Sequence, residues 1–116
     1  MPHLQLEMSK GVREYDQRNE ILGDLVHAFC EFETIEPKAV KGYLRVAEDW
    51  TMGLGAPPDF VHLTVCVLDG RDPALLSQIS DGLYSQMKTA FQESMADGAV
   101  GLTLEVREMN PAYYRK

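Results

Sequence analysis

Leu4 and Leu6 alternate with His3, Gln5 and Glu7 at the start of the chain, the period-two pattern of a strand with one apolar face. Ser9-Lys10-Gly11 then turns the chain. Ile21, Leu22, Leu25, Val26, Phe29 and Phe32 recur at spacings of three and four, predicting a helix from about Asp16 to Phe32. Gly23 inside that stretch predicts a point of close packing, and Pro37 stands where a helix stop is expected. Val40 to Val46 reads as a second strand, and Gly53 to Pro58 as an irregular connection.

The pattern then starts again. Phe60 to Leu68 is the strongest strand signal in the chain, and Asp69-Gly70 turns it. Asp72-Pro73 is an N-cap followed by proline at the first helical position. Leu75, Leu76, Ile79, Leu83, Met87, Phe91 and Met95 trace one helical face, Asp97-Gly98 ends it, and Leu102 to Val106 forms the last strand. A shift of 59 positions carries His3 onto His62, Leu4 onto Leu63, Gly11 onto Gly70, Gly23 onto Gly82, Phe32 onto Phe91 and Gly42 onto Gly101. The expected fold is therefore α+β. Two tandem β-α-β units, about residues 2–52 and 60–110, make a four-stranded mixed sheet with two helices on one face, in a single domain over residues 1–116. Leu63, Val65 and Val67 alternate against His62, Thr64, Cys66 and Leu68, which are not all polar, so the face away from the helices also needs cover and a homo-oligomer is expected to supply it.

Composition narrows the partners. The 116 residues are 45% hydrophobic and 25% charged, as in an ordinary globule. A net charge of −7 argues against nucleic-acid or anionic-membrane surfaces, so an anionic ligand needs cations gathered locally. No apolar run reaches the eighteen or so residues of a membrane span, and no charged-then-apolar leader opens the chain, so a cytoplasmic location is expected. Cys30 and Cys66 lack metal-type spacing and read as buried free thiols. His62 and Cys66 share a strand face, but two ligands without a third make no zinc site. Phosphate loops, nucleophile elbows and nucleic-acid motifs are absent.

The chemistry centres on Met1-Pro2. Methionine before a small residue is ordinarily removed, which leaves Pro2 as a secondary amine on a fixed ring at the start of a strand. Pro2-His3 with Glu7, Phe60-Val61-His62 with Thr64, Gly70-Arg71, and Glu105-Val106 with Pro111 resemble the 5-carboxymethyl-2-hydroxymuconate isomerase family of the tautomerase superfamily. The resemblance is collinear over about residues 2 to 111. It implies a homotrimer, no cofactor, and an amino-terminal proline acting as base in homoprotocatechuate breakdown. By the resemblance, the catalytic proline falls on Pro2 and the second substrate-binding arginine on Arg71. The first arginine falls on Lys41, which keeps the charge but loses the bidentate fork that suits a carboxylate. Arg45, on the same strand face, is a possible substitute. The chain also stops at Lys116, shorter than the family pattern.

The implied reaction shifts a proton and a double bond in a small unsaturated 2-hydroxy or 2-oxo diacid. Pro2 takes a proton from the 2-hydroxyl and returns it to a distant carbon, so it must be neutral near pH 7. Free α-amino groups titrate at about 7.7–8.0, and nearby cations and desolvation lower that value. Arg71 and Lys41 thus have two tasks, holding carboxylates and keeping Pro2 deprotonated. An antiparallel pairing of the first and third strands would bring the start of one to the end of the other. His3 and His62 fit structural hydrogen bonding better than catalysis, and Trp50, Tyr113 and Tyr114 fit packing or a subunit contact. Two alternatives stand: a tautomerase-fold hydratase, decarboxylase or dehalogenase, in which a protonated proline is the acid, and a non-catalytic trimeric binding protein if Met1 is retained.

Overall fold

The chain is described over residues 1–116 by a computed structural model. Strand β1 spans His3–Ser9. A 3-10 turn at Arg13–Gln17 leads into helix α1, Arg18–Cys30, and a second 3-10 turn at Pro37–Ala39 precedes strand β2, Lys41–Ala47. Strand β3 is Asp59–Leu68, helix α2 is Pro73–Ala90, helix α3 is Gln92–Ala96, and strand β4 is Val100–Met109. The strands form one mixed sheet in the order β2-β1-β3-β4. Pairs β1–β2 and β3–β4 are parallel, and β1–β3 is antiparallel. Each parallel pair is joined through its own helix, so the α+β reading and its doubled β-α-β plan both appear in the structure.

Alternation along the strands decides which face is buried. Leu4, Leu6 and Met8 of β1 and Val61, Leu63, Val65 and Val67 of β3 are fully buried against Ile21, Leu25 and Phe29 of α1 and Ile79, Leu83 and Met87 of α2. Gly42 lets β2 approach α1. A Cβ added there would come within 2.6 Å of Val26 Cγ2 and 3.2 Å of Leu22 Cδ1. The other face carries His3, Gln5, Glu7, Tyr43, Arg45, His62, Thr64 and Cys66. His3 stacks on Tyr43, with ring centroids 6.5 Å apart, and His62 Nδ1 shares a 2.7 Å hydrogen bond with Thr103 Oγ1. Both histidines thus have structural partners.

Three local expectations are corrected. A Cβ added at Gly23 would meet nothing within 4 Å, because the residue lies on the solvent side of α1; at its repeat mate Gly82 an added Cβ would come 3.0 Å from Phe32 Cζ. Met95 is 36% exposed rather than on the buried face. The helix breaks at Phe91 (φ −108°, ψ 26°), which rotates α3 and turns Ser94 inward instead. There the Ser94 N–H (3.1 Å) and Oγ–H (2.5 Å) both donate to the buried Glu14 carboxylate. Of the two free thiols, Cys66 is buried but Cys30 only half-buried. Burial raises the pKa of both; beside Cys66, Arg107 opposes the rise and Glu105 adds to it. No helix is long and apolar enough to cross a membrane.

Candidate active site

Sheet register builds the site. The antiparallel pairing of His3 with Cys66 lays the chain start beside the end of β3, and the Lys41 N–H donates to the Pro2 carbonyl at 3.3 Å. Pro2 is therefore held between β3 and β2 and is buried. Beyond Leu68 the chain must reverse quickly into α2. Gly70 does this with φ +113°, a conformation that suits glycine, and the Asp69 carboxylate accepts its N–H at 2.8 Å. Asp72 caps α2 by accepting the Ala74 N–H at 2.9 Å, with Pro73 behind it. Arg71 is fixed between that turn and that cap.

The guanidinium is anchored on one side. Arg71 Nε donates to Thr34 Oγ1 at 2.9 Å, Nη2 to the Thr34 carbonyl at 3.2 Å, and Nη1 to the Leu68 carbonyl at 3.0 Å. Five N–H groups project from a guanidinium, so one on each terminal nitrogen stays free for a ligand. Met1, Pro2, Thr34, Glu36, Ala39, Leu68, Arg71 and Lys116 line a cleft of about 220 Å³. A wider depression of about 350 Å³ lies between α1 and the end of α2, but Glu14, Glu20, Asp24 and Glu93 line it. Of these two, the smaller cleft is the one that offers an anion cationic partners.

Its electrostatics follow. The Met1 amine titrates below its ordinary value of 8.0, first because burial disfavours the charged form and then because Lys116, Lys41 and Arg71 repel it. Met1 is also tethered through its carbonyl, which accepts from His3 Nδ1 at 3.1 Å and from the Tyr114 hydroxyl at 3.4 Å. With Met1 in place, the Pro2 nitrogen is an amide.

The sequence matches the 5-carboxymethyl-2-hydroxymuconate isomerase family over residues 2–116. The chain belongs to that family. It is accordingly an isomerase, with the tautomerase fold. The crystal structure of a 5-carboxymethyl-2-hydroxymuconate isomerase from Deinococcus radiodurans R1 superposes with a TM-score of 0.90 at 22% identity, covering 99% of this chain and 87% of that one. A 5-carboxymethyl-2-hydroxymuconate delta-isomerase gives 0.86 at 16% identity, over 100% and 87% of the two chains. A fused 4-OT, described as a wild-type asymmetric trimer, gives 0.74 at 11% identity, over 98% and 91%. At these identities the superpositions establish the fold. No curated protein matches the chain.

In this 5-carboxymethyl-2-hydroxymuconate isomerase family member, Pro2 and Arg71 share one cleft. Lys41 is next to them in the sheet: its backbone binds Pro2 and its exposed side chain is near enough to act on the amino terminus. Arg45 is not brought there. It pairs with Glu7, four residues further along β2, and its guanidinium lies 5.5 Å from the Tyr43 ring centroid on the open sheet face. Two lining residues had no signal in the sequence. Thr34 is a loop residue whose φ of +67° is rare for a β-branched side chain, and Lys116 reaches the cleft only because the tail returns to the chain start. Trp50 is elsewhere, donating to the Pro58 carbonyl at 2.8 Å and closing the long β2–β3 connection.

Proposed function

We propose that the protein is a cofactor-free isomerase of a small unsaturated 2-hydroxy or 2-oxo acid such as 5-carboxymethyl-2-hydroxymuconate, with Pro2 as its base once Met1 is removed. The observation that carries this reading is the shared cleft of Pro2 and Arg71. The neutral Pro2 amine takes the proton of the 2-hydroxyl, and the oxygen lone pair forms the C2=O bond. The C2=C3 electrons move to C3=C4, and those of C4=C5 take the proton back from Pro2 at C5. Atoms and charge balance with one base and no other reactant.

Arg71 holds a substrate carboxylate through its two free N–H groups, and Lys41 and Lys116 supply further positive charge. The cations that lower the Met1 amine would act on the Pro2 amine in the same way, favouring its neutral form. Arg45, remote within one subunit, has a role only if a neighbouring subunit brings it to a cleft. The unit is a single domain, and a cytoplasmic homotrimer covers its polar sheet face. The test is turnover of 5-carboxymethyl-2-hydroxymuconate by protein whose mass shows Met1 removed. Loss of the dienol absorbance supports the reading, and no turnover with a free proline overturns it.

A second reading has its own observation. The hydrogen bonds from His3 and Tyr114 to the Met1 carbonyl suit a chain that keeps Met1. In such a chain Arg71 would hold a carboxylate beside an amide nitrogen that cannot act as the base. Mass spectrometry of untagged protein separates the two.

A further inference from the structure

We infer that Thr34 is the positioning residue for Arg71: its left-handed backbone turns both its hydroxyl and its carbonyl onto the guanidinium and leaves the free N–H groups aimed at a carboxylate in the Pro2 cleft. The inference deepens the proposed function and rests on it. Thr34 is the one non-glycine residue in the chain with positive φ, at +67°. For a β-branched side chain this conformation is strained, and it persists where surrounding contacts hold it. Here the contacts are with Arg71. Nε–H donates to Oγ1 at 2.9 Å and Nη2–H to the backbone carbonyl at 3.2 Å, across 37 positions of sequence.

Two acceptors from one residue, with the Leu68 carbonyl on Nη1 at 3.0 Å, fix the guanidinium plane rather than only its distance. Nothing else in the α1–β2 loop bonds to the guanidinium. Thr34 and Arg71 also form the wall between the Pro2 cleft and a neighbouring depression of about 330 Å³ bounded by Glu33, Asp72 and Gln78. A released Arg71 could swing toward those carboxylates and leave the cleft. Serine keeps the hydroxyl, whereas valine keeps the shape and the branched Cβ but not the acceptor. That pair separates hydrogen bonding from packing.

The experiment compares wild type, Thr34→Ser and Thr34→Val, as full-length Met1-processed proteins. It combines kcat/KM on 5-carboxymethyl-2-hydroxymuconate with the arginine Nε–Hε resonance in nitrogen-15 spectra, assigned to Arg71 by its loss in Arg71→Lys. The expected result is a ten- to hundredfold fall in kcat/KM for Thr34→Val, mostly in KM, with a collapsed Nε–Hε resonance and near wild-type values for Thr34→Ser. The acid limb of Thr34→Val should also move to higher pH, since a displaced guanidinium no longer depresses the Pro2 amine. Wild-type kinetics and an unmoved resonance in Thr34→Val would overturn the inference while leaving the isomerase reading intact. No turnover by wild type would instead overturn that reading, and glutarate titration then decides the inference. Shifts of the Arg71 resonance in wild type and Thr34→Ser but not in Thr34→Val support it. Equal shifts in all three refute it.

Discussion

The Lys41 N–H donates to the Pro2 carbonyl at 3.3 Å, so these two residues are joined by backbone and not by side chain. The parallel β1–β2 pairing continues from that bond, His3 opposite Lys41. Replacing Lys41 therefore removes a charge without removing the strand contact. Lys41→Ala should lower kcat/KM only severalfold. Arg71→Ala, which takes away a guanidinium with two free donors, should lower it by about ten- to hundredfold or more. Steady-state kinetics of the two variants checks the order. An equal loss for both would give Lys41 the status of a second carboxylate ligand.

A second prediction concerns pH. In the unprocessed chain, burial followed by Lys116, Lys41 and Arg71 depresses the Met1 amine below 8.0. The folded state then binds fewer protons than the unfolded state just below that pH, so stability should rise with pH through this window. The sign is set by the lowered pKa of a cationic group. Chemical denaturation between pH 6 and 8.5 measures it, and Lys116→Ala should flatten the slope. In the processed enzyme the same cations should place the acid limb of kcat/KM below the ordinary range of about 7.7–8.0 for α-amino groups. A limb above that range, with activity lost as pH rises, would favour the acid-type hydratase or dehalogenase chemistry.

Ser94 and Glu14 give a prediction about stability alone. Glu14 is a buried carboxylate whose two oxygens accept from Ser94 Oγ at 2.5 Å and Ser94 N at 3.1 Å. Ser94→Ala leaves one oxygen without that donor and should cost about 1–3 kcal/mol in urea denaturation, with kcat unchanged. The pair is distant from the Pro2 cleft, so any large kinetic effect would contradict this assignment.

The glycines separate what was legible in the chain from what was not. Gly23→Ala should stabilise by about 0.5–1 kcal/mol, since it lies inside α1 with open space at its Cβ. Gly42→Ala should destabilise by about 1–3 kcal/mol, because its Cβ would meet Val26 at 2.6 Å. Thermal unfolding of the two variants tests the opposite signs.

Periodicity revealed the two long helices, all four strands and the doubled plan, because burial of one helix face and alternate strand residues leaves a mark on residue type. It did not reveal which glycine packs, since that depends on how far a helix stands from a strand. The break at Phe91 was hidden as well: Met95 keeps the apolar period, while the partner that draws Ser94 inward is Glu14, 80 positions away. The candidate site divided in the same way. Pro2 and Arg71 were picked out by the family resemblance, with the chain start and the Gly70 turn fixing the register. Thr34 was not, because nothing in the sequence marks a threonine that adopts positive φ, and Lys116 depends on the path of the tail.

The most direct test compares Met1-free wild type with Pro2→Ala in an ultraviolet assay on 5-carboxymethyl-2-hydroxymuconate. Alanine keeps an amine at the chain start but makes it primary and free to rotate. A base held in place contributes about 10²–10⁴-fold, so the account predicts rapid loss of the dienol band with wild type and at least a hundredfold slower loss with Pro2→Ala. Equal rates for the two proteins would contradict it.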